Sequence, residues 1–323
     1  MERPEGINKF NLVGFINKYR VFLILLVTCL IASFLSDAFF SVANLFNVAR
    51  QVSITAIVAA GMTLVILIAG IDLSVGSILA FTGAMVAGML TAKMTLPFAI
   101  LLALGVGALI GLVNGLIVTK FGVPAFIVTL ALMTIGRGLT LVYTKGYPLV
   151  ISNHSFRAIG GGELLGMPLP IVVMLLLYAL MYWVLRYTAF GRYVYAIGGN
   201  EEASRLSGIQ VDQVKIAVYG ISGLLSALSS MIYTSRLMSA QPTAGTGLEL
   251  DAIAAVIIGG TSLSGGRGGI IGTLVGALIM GVLDNVLNLM NVSPFYQSIA
   301  KGLVILIAVI VDGKFLQIRN KKK

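Results

Sequence analysis

The sequence predicts an all-α polytopic integral membrane protein with about ten transmembrane helices, both termini cytoplasmic, and Gly-rich helix breaks. Three observations carry that prediction. First, 58% of the residues are hydrophobic and 11% are charged, with a mean hydropathy of +1.01, whereas an ordinary soluble domain carries about 25% charged residues. Second, apolar windows recur at the length of about 20 residues that a helix needs to cross a bilayer. Third, Lys and Arg sit at the ends of those windows.

In chain order the windows are Tyr19 to Ser36, Gln51 to Gly70, Val75 to Ala92, Pro97 to Thr119, Ala125 to Tyr143, Leu169 to Leu185, Ile216 to Leu237, Ile270 to Met290 and Tyr296 to Val311. The first follows Arg3, Lys9, Lys18 and Arg20 and is longer than most signal-peptide cores, so it reads as an uncleaved helix. A tenth, Asp251 to Ser264, is short and Gly-rich. Ten crossings put both termini on one side. That side then holds fifteen basic residues: Arg3, Lys9, Lys18, Arg20, Lys120, Arg186, Arg192, Arg205, Lys215, Arg267, Lys314, Arg319 and Lys321 to Lys323. The other holds five, Arg50, Lys93, Lys145, Arg157 and Arg236, so the termini are expected in the cytoplasm. The chain divides into a cytoplasmic segment 1–18, one transmembrane domain 19–312 and a basic cytoplasmic tail 313–323. Within the domain, 144–168 is an outward loop and 186–215 an inward one.

A net charge of +10 invites a nucleic-acid reading, but the cations are scattered along helix ends rather than gathered on one solvated face, so no nucleic-acid partner is expected. Cys29, the single cysteine, allows no disulfide within the chain and no zinc set. The one histidine, His154, lies in the outward loop and reads as surface. No nucleophile and base pair recurs at membrane depth, so an integral membrane enzyme is poorly supported.

The inward loop holds NEEASRLSGI, which reads as a short helix. Asn200 suits the N-cap, Glu201 and Glu202 favour the positive end of the dipole, and Gly208 suits the C-terminal cap. Ala203, Leu206 and Ser207 form a small apolar face. Two readings stand: a helix that only joins two spans, or one that docks in a groove of a cytoplasmic motor subunit. The chain has no G-x-x-x-x-G-K-[ST], because its Gly313-Lys314 pair has Ala308 in place of the first Gly and Phe315 after it. If ATP drives this protein, another chain binds it.

Three stretches, AGIDLSVGS from Ala69, NEEASRLSGI from Asn200 and QPTAGTGLELDAIAAVIIGGTSLSGGRG from Gln241, together resemble the permease subunits of bacterial ATP-binding-cassette importers for ribose and related monosaccharides. The likeness runs from about Leu45 to Val311. It implies a homodimer in the inner membrane, served by a cytoplasmic ATPase with two fused nucleotide-binding halves and by a periplasmic sugar-binding protein. ATP and Mg would be held by the ATPase, and no cofactor or metal by this chain. The resemblance makes Glu201 to Gly208 the coupling segment, flanked by Gly199 and Asn200 and including Ala203, Ser204, Arg205, Leu206 and Ser207. It implies a monosaccharide, ribose first, with xylose, allose, galactose or a furanosyl signal molecule behind it. A proton-driven secondary transporter is the alternative, kept open by Asp72 and Asp284.

Ionisable groups at membrane depth cost about 2.5 to 3.5 kcal/mol on insertion scales, so each needs a reason. They are Asp72, Arg137, Asp284 and Lys301, with the amides Asn114, Asn285 and Asn288. Asp284 and Lys301 are expected to pair, Arg137 to snorkel outward, and Asn285 and Asn288 to line a sugar path. Gly83, Ala87 and Gly88, and Gly105, Gly107, Gly111 and Gly115, form small-residue faces for close packing within the bundle, or for a dimer contact. IAGIDLSVG from Ile68 is echoed by IGGTSLSGG from Ile258, which reads as a duplicated helix-turn-helix element. The run from Gln51 to Ala92 is 42 residues, about 63 Å as helix. Two crossings consume nearly all of it, so its middle is either a tight cytoplasmic turn or a break within the membrane. In both cases Gly residues supply the bend and Asp72 or Ser74 caps the next helix. A path or gate role remains open for Asp72 and Ser74, and for Asn114 and Ser262.

Overall fold

The computed structural model describes the backbone of residues 12–320 and the side chains of residues 19–310, so the charged ends expected at 1–18 and 313–323 lie wholly or partly outside the described residues. The helices are α1 (Leu12–Leu35), α2 (Val42–Leu67), α3 (Val75–Thr91), α4 (Leu96–Phe121), α5 (Ala125–Thr144), α6 (His154–Gly161), α7 (Leu169–Tyr187), α8 (Ala189–Gly199), α9 (Glu201–Leu206), α10 (Val211–Leu237), α11 (Leu248–Ile258), α12 (Ile270–Leu289) and α13 (Pro294–Asn320). Each expected apolar window overlaps one of them. Six, namely α2, α4, α5, α7, α10 and α12, are long and apolar enough to cross a membrane. Tyr19–Leu35, Val75–Thr91 and Pro294–Ile310 are apolar but shorter. At 11 residues, α11 is about 16 Å long and cannot cross alone.

The core is built around α2. From Val52 to Ile68 it is buried on every face apart from the half-buried Thr55, as expected for a helix apolar all round. Hydroxyls reach its carbonyls: Tyr178 Oη of α7 donates to Ala56 O at 2.9 Å and Ser229 Oγ of α10 donates to Ile54 O at 2.8 Å. The longest interface is α4 against α10, antiparallel, with Gly107 facing Gly223 and Ala227, Gly111 facing Tyr219, and Gly115 facing Ile216. These glycines therefore pack one chain's bundle. Gly105 is the exception in the expected face, since a Cβ there meets nothing within 4 Å. Leucines on the outer faces of α4 and α7, such as Leu101 and Leu176, stay exposed, as a lipid-facing surface requires.

The helix directions define two ends. Helices α8 and α9 sit at one, with the end of α2, the start of α12 and the 259–269 turn. The other is capped by the long loop: β1 (Leu149–Val150) pairs antiparallel with β4 (Ser239–Ala240), and β2 (Glu163–Leu164) with β3 (Met167–Pro168). Between these pairs α6 lies on α10, its N-cap Asn153 Oδ1 accepting from Phe156 N at 3.0 Å and its Gly160 N donating to Ser235 Oγ at 2.8 Å. His154 is exposed.

The α4 to α10 contact sets a stability test. A Cβ at Gly111 would stand 2.2 Å from the Tyr219 carbonyl oxygen, so Gly111→Ala must push the helices apart. Overpacking of this kind costs about 1–3 kcal/mol. The thermal unfolding midpoint in detergent should fall for Gly111→Ala and hold or rise for Gly105→Ala, where alanine gains helix propensity without a clash.

Candidate functional site

Helix α2 ends in a tight reversal: Gly70 N donates to Val65 O and Ala69 N to Ile66 O, both at 2.9 Å. The left-handed residue is Ala69, with φ +59°, not a glycine as the sequence implied. Gly70 is required for a different reason, because a Cβ there would lie 2.5 Å from Tyr219 Oη. Seven residues then run without helix until α3 starts at Val75.

Asp72 sits in this segment and is fully buried. Its Oδ1 accepts from Ser74 N at 3.0 Å and Ser74 Oγ at 2.6 Å, and its Oδ2 from Ser222 Oγ at 2.8 Å. Ser74 Oγ in turn accepts from Asn114 Nδ2 at 2.8 Å. Three donors converge on a carboxylate placed at the N-terminus of α3, where the helix dipole also favours negative charge. Ser222 lies eleven residues into α10, about 16 Å from its start. The segment is thus a break inside the bundle and not a surface turn. The capping role belongs to Asp72, since Ser74 makes no side-chain cap. A third helix holds the break as well, through Thr129 Oγ1 of α5 to Ile71 O at 3.2 Å.

A second break enters from the opposite end. After β4 the chain runs inward through Gln241–Gly247, with Gly245 at φ +65° and Gly247 at φ +81°, before α11 begins at Leu248. The starts of α3 and α11 meet here. A Cβ on Gly76 would fall 2.2 Å from Gly245 O and 2.6 Å from Glu249 Oε2. Arg137 corrects the expectation of an outward-snorkelling side chain: its Nη1 donates to Ala244 O, and it lies beside Glu249. Position 137 is mid-helix in α5 and faces the irregular stretch, whose free carbonyls offer a nearer partner than the membrane surface.

The echoed segments adopt related turns at the α9 end. Ser74 N donates to Asp72 Oδ1, and at the matching place Ser264 N donates to Ser262 Oγ at 3.4 Å. Asn285 and Asn288 are not brought to either break. Asn285 forms a reciprocal amide pair with Asn44, at 2.9 and 2.8 Å, and Asn288 Oδ1 accepts from Gln297 Nε2 at 2.9 Å, both near the far end of α12. Lys301 pairs with Asp284 at 2.9 Å as expected, and also with Asp251 at 3.0 Å, which ties α11 to α12 and α13.

Helix α9 forms where the sequence placed it. Asn200 Oδ1 caps Ala203 N at 2.9 Å, and Gly208 follows the helix at φ +82°. Ser204 is the buried residue, its Oγ donating to Asn200 O at 2.8 Å. The expected apolar face of Ala203, Leu206 and Ser207 is exposed, with Leu206 at 84%. Glu201 bonds Lys215, and Arg205 bonds Asp212 at 3.0 Å, an ion pair that raises the guanidinium pKa. A cavity of about 440 Å³ lies between these charges and the first break, with Gly70 and Tyr219 among its lining residues.

Sequence reasoning missed Ser222, Tyr219, Thr129 and Asp251. The signal for Ser222 was present, in serines at 222, 226, 229 and 230, one helical face within an apolar span. Among the described residues, no three His, Cys, Asp or Glu side chains gather as a metal site needs.

Residues 44–309 match the family described as branched-chain amino acid transport system, permease component. The chain belongs to this permease family. It is also 51% identical over 310 residues to the ribose import permease protein RbsC of Haemophilus influenzae, covering 95% of this chain and 96% of the relative. Identity is 53% over 294 residues to RbsC of Escherichia coli K12, covering 90% and 92%, and 52% over 303 residues to RbsC of Bacillus subtilis, covering 93% and 94%. No solved structure matches. The protein is a multi-pass membrane permease, and two chain breaks meet inside its helical bundle, at the starts of α3 and α11.

The Asp72 network predicts an order of stabilities for the permease. Asp72→Ala leaves Ser74 N, Ser74 Oγ and Ser222 Oγ without their acceptor, and one buried unsatisfied group costs about 1–3 kcal/mol. Asp72→Asn keeps one carbonyl oxygen. Thermal midpoints in detergent should rank wild type, then Asp72→Asn, then Asp72→Ala; equal midpoints for all three would refute the capping role.

Proposed function

We propose that this chain is the transmembrane subunit of an ATP-binding-cassette importer in a bacterial inner membrane, forming with a second copy the path for a monosaccharide, most specifically D-ribose. A periplasmic binding protein delivers the sugar, and a cytoplasmic ATPase with two fused nucleotide-binding halves holds ATP and Mg. The observation that carries the reading is identity of 51–53% over at least nine-tenths of the chain to proteins named ribose import permeases. The α9 geometry supports it: a capped helix outside the bundle, held to α10 by ion pairs, presents Leu206 to the outside. On this reading the α9 end faces the cytoplasm, in keeping with the fifteen-to-five excess of basic residues, and Gln241–Ile258 completes a tenth crossing. Asp72, Ser74, Asn114 and Ser262 then act as gate elements that hold the breaks.

Two experiments test the assignment. Glu202 is exposed at the start of α9, and Gly208 has a φ of +82° that proline cannot adopt. Glu202→Lys and Gly208→Pro should each release the ATPase in a pulldown while the permease still accumulates in membranes; unchanged co-purification would sink the coupling role. In vesicles without a proton gradient, ribose uptake should persist with ATP, the ATPase and the binding protein, and vanish when the ATPase is omitted. Uptake that follows the proton gradient instead would favour the secondary-transporter alternative. Xylose, allose, galactose or a furanosyl compound stimulating ATP turnover more than ribose would reassign the substrate.

A further inference from the structure

The two echoed turns, a short repeat in the sequence, are joined in the structure. Gly266 N of the second donates to Leu67 O at the threshold of the first, at 2.8 Å. Helix α8 is pressed against that bond through a residue with no side chain. A Cβ on Gly198 would stand 1.7 Å from Leu67 O and 2.4 Å from Gly266 N. The contact is tight from the other side too: a Cβ on Gly265 would meet Ala69 N at 2.9 Å and Gly198 O at 3.0 Å, and one on Gly266 would meet Gly199 N at 2.8 Å. One turn earlier on α8, Tyr195 Oη donates to Gly268 O at 3.0 Å, fixing the same loop.

Only Asn200 separates this junction from α9, serving as C-cap of α8 and N-cap of α9. A displacement of α9 therefore reaches Gly198 through one residue and a helix end. Contacts between side chains can absorb movement by changing rotamer. Backbone pressed on backbone has no rotamer to change, so it transmits movement stiffly.

We propose that Gly198 is the transmission point of this permease, passing movement of α9 at once to the Asp72 break through Leu67 and to the start of α12 through the 259–269 turn. The inference rests on the reading of α9 as the ATPase-coupling helix. It assigns Gly198 a positioning role, acting on the path through both turns without touching sugar or nucleotide.

The test uses the complete complex in proteoliposomes. Gly198→Ala should still bind the ATPase and hydrolyse ATP, yet sugar uptake per ATP should fall at least tenfold. Gly302→Ala on α13 is the control, since a Cβ there also meets nothing within 4 Å, and should transport as wild type. Wild-type uptake per ATP in Gly198→Ala would overturn the proposal. A second measurement needs no variant: hydrogen exchange of the wild-type complex with and without a non-hydrolysable ATP analogue. Peptides spanning 66–74 and 259–268 should change together with 196–206, and a change confined to 196–206 would overturn the proposal even if Gly198→Ala fails to accumulate. Failure of the wild-type chain to hold the ATPase is distinguishable from both results, and it would overturn the transport reading and this inference with it.

Discussion

Every peptide group that leaves a helix inside an apolar bundle must find its partner within the protein, because lipid supplies none. This permease interrupts helices at two places, and much of its polar chemistry follows from that constraint. At the first break the exposed N–H at the start of α3 goes to Asp72 and the Ile71 carbonyl goes to Thr129. At the second, the Ala244 carbonyl goes to Arg137 and Gly247 N goes to Glu249. Three neighbouring helices, α4, α5 and α10, thus carry polar side chains, Asn114, Thr129, Arg137 and Ser222, whose partners are backbone or cap groups of the two breaks. Close approach is the companion requirement, which glycines at 61, 76 and 245 satisfy where bulk would collide.

The two carboxylate sites, Asp72 fully buried and Asp251 with Asp284 half-buried, are held differently. Asp72 is held by three neutral donors and a helix N-terminus, so its charge is spread over dipoles that move with α3 and α10. Asp251 and Asp284 share one lysine, Lys301, in a direct ionic clamp among α11, α12 and α13. Each hydrogen bond to an ionised carboxylate is worth about 1.5–3 kcal/mol, so the three donors on Asp72 hold the first break at least as firmly as the half-buried Lys301 pairs hold the α11 to α13 corner.

Hydropathy made the helices legible because it is a local property: each apolar window of the sequence overlaps a helix. Capping at Asn200 and Asp72 was legible for the same reason, as the acceptor and the N–H lie within three residues of each other. Longer-range pairing was only partly so. Lys301 pairs with Asp284, 17 positions away, as the sequence suggests, but its second partner Asp251 lies 50 positions away at the edge of the short tenth window, where nothing local sets it beside α13. Arg137 and Asn285 were misjudged in the same way, since their partners Ala244 and Asn44 lie 107 and 241 residues off. The bend at Ala69 misled for a local reason: glycine preference for positive φ is statistical, and the Schellman-type hydrogen bonds at the end of α2 hold an alanine there instead.

The short echo between Ile68 and Ile258 gains meaning from how its turns are arranged. Had they been equivalent halves far apart, the similarity would record only a shared way of ending a helix. They are in contact, through Gly266 N and Leu67 O, while the helices they introduce, α3 and α12, occupy different parts of the bundle. Under the transmission role proposed for Gly198, a rigid insertion at that contact would shift α3 and α12 in step. Small residues make the arrangement possible and also make it costly, because a glycine within a helix is about 0.8–1.0 kcal/mol less favourable than alanine. Positions such as 198, 272 and 276 carry that cost inside or at the ends of helices, and in each an added Cβ would meet backbone at 2.4 Å or less. The bundle trades helix stability at these sites for backbone contacts with no slack, which on the proposed ATPase-coupled reading is what a transporter driven from one end requires.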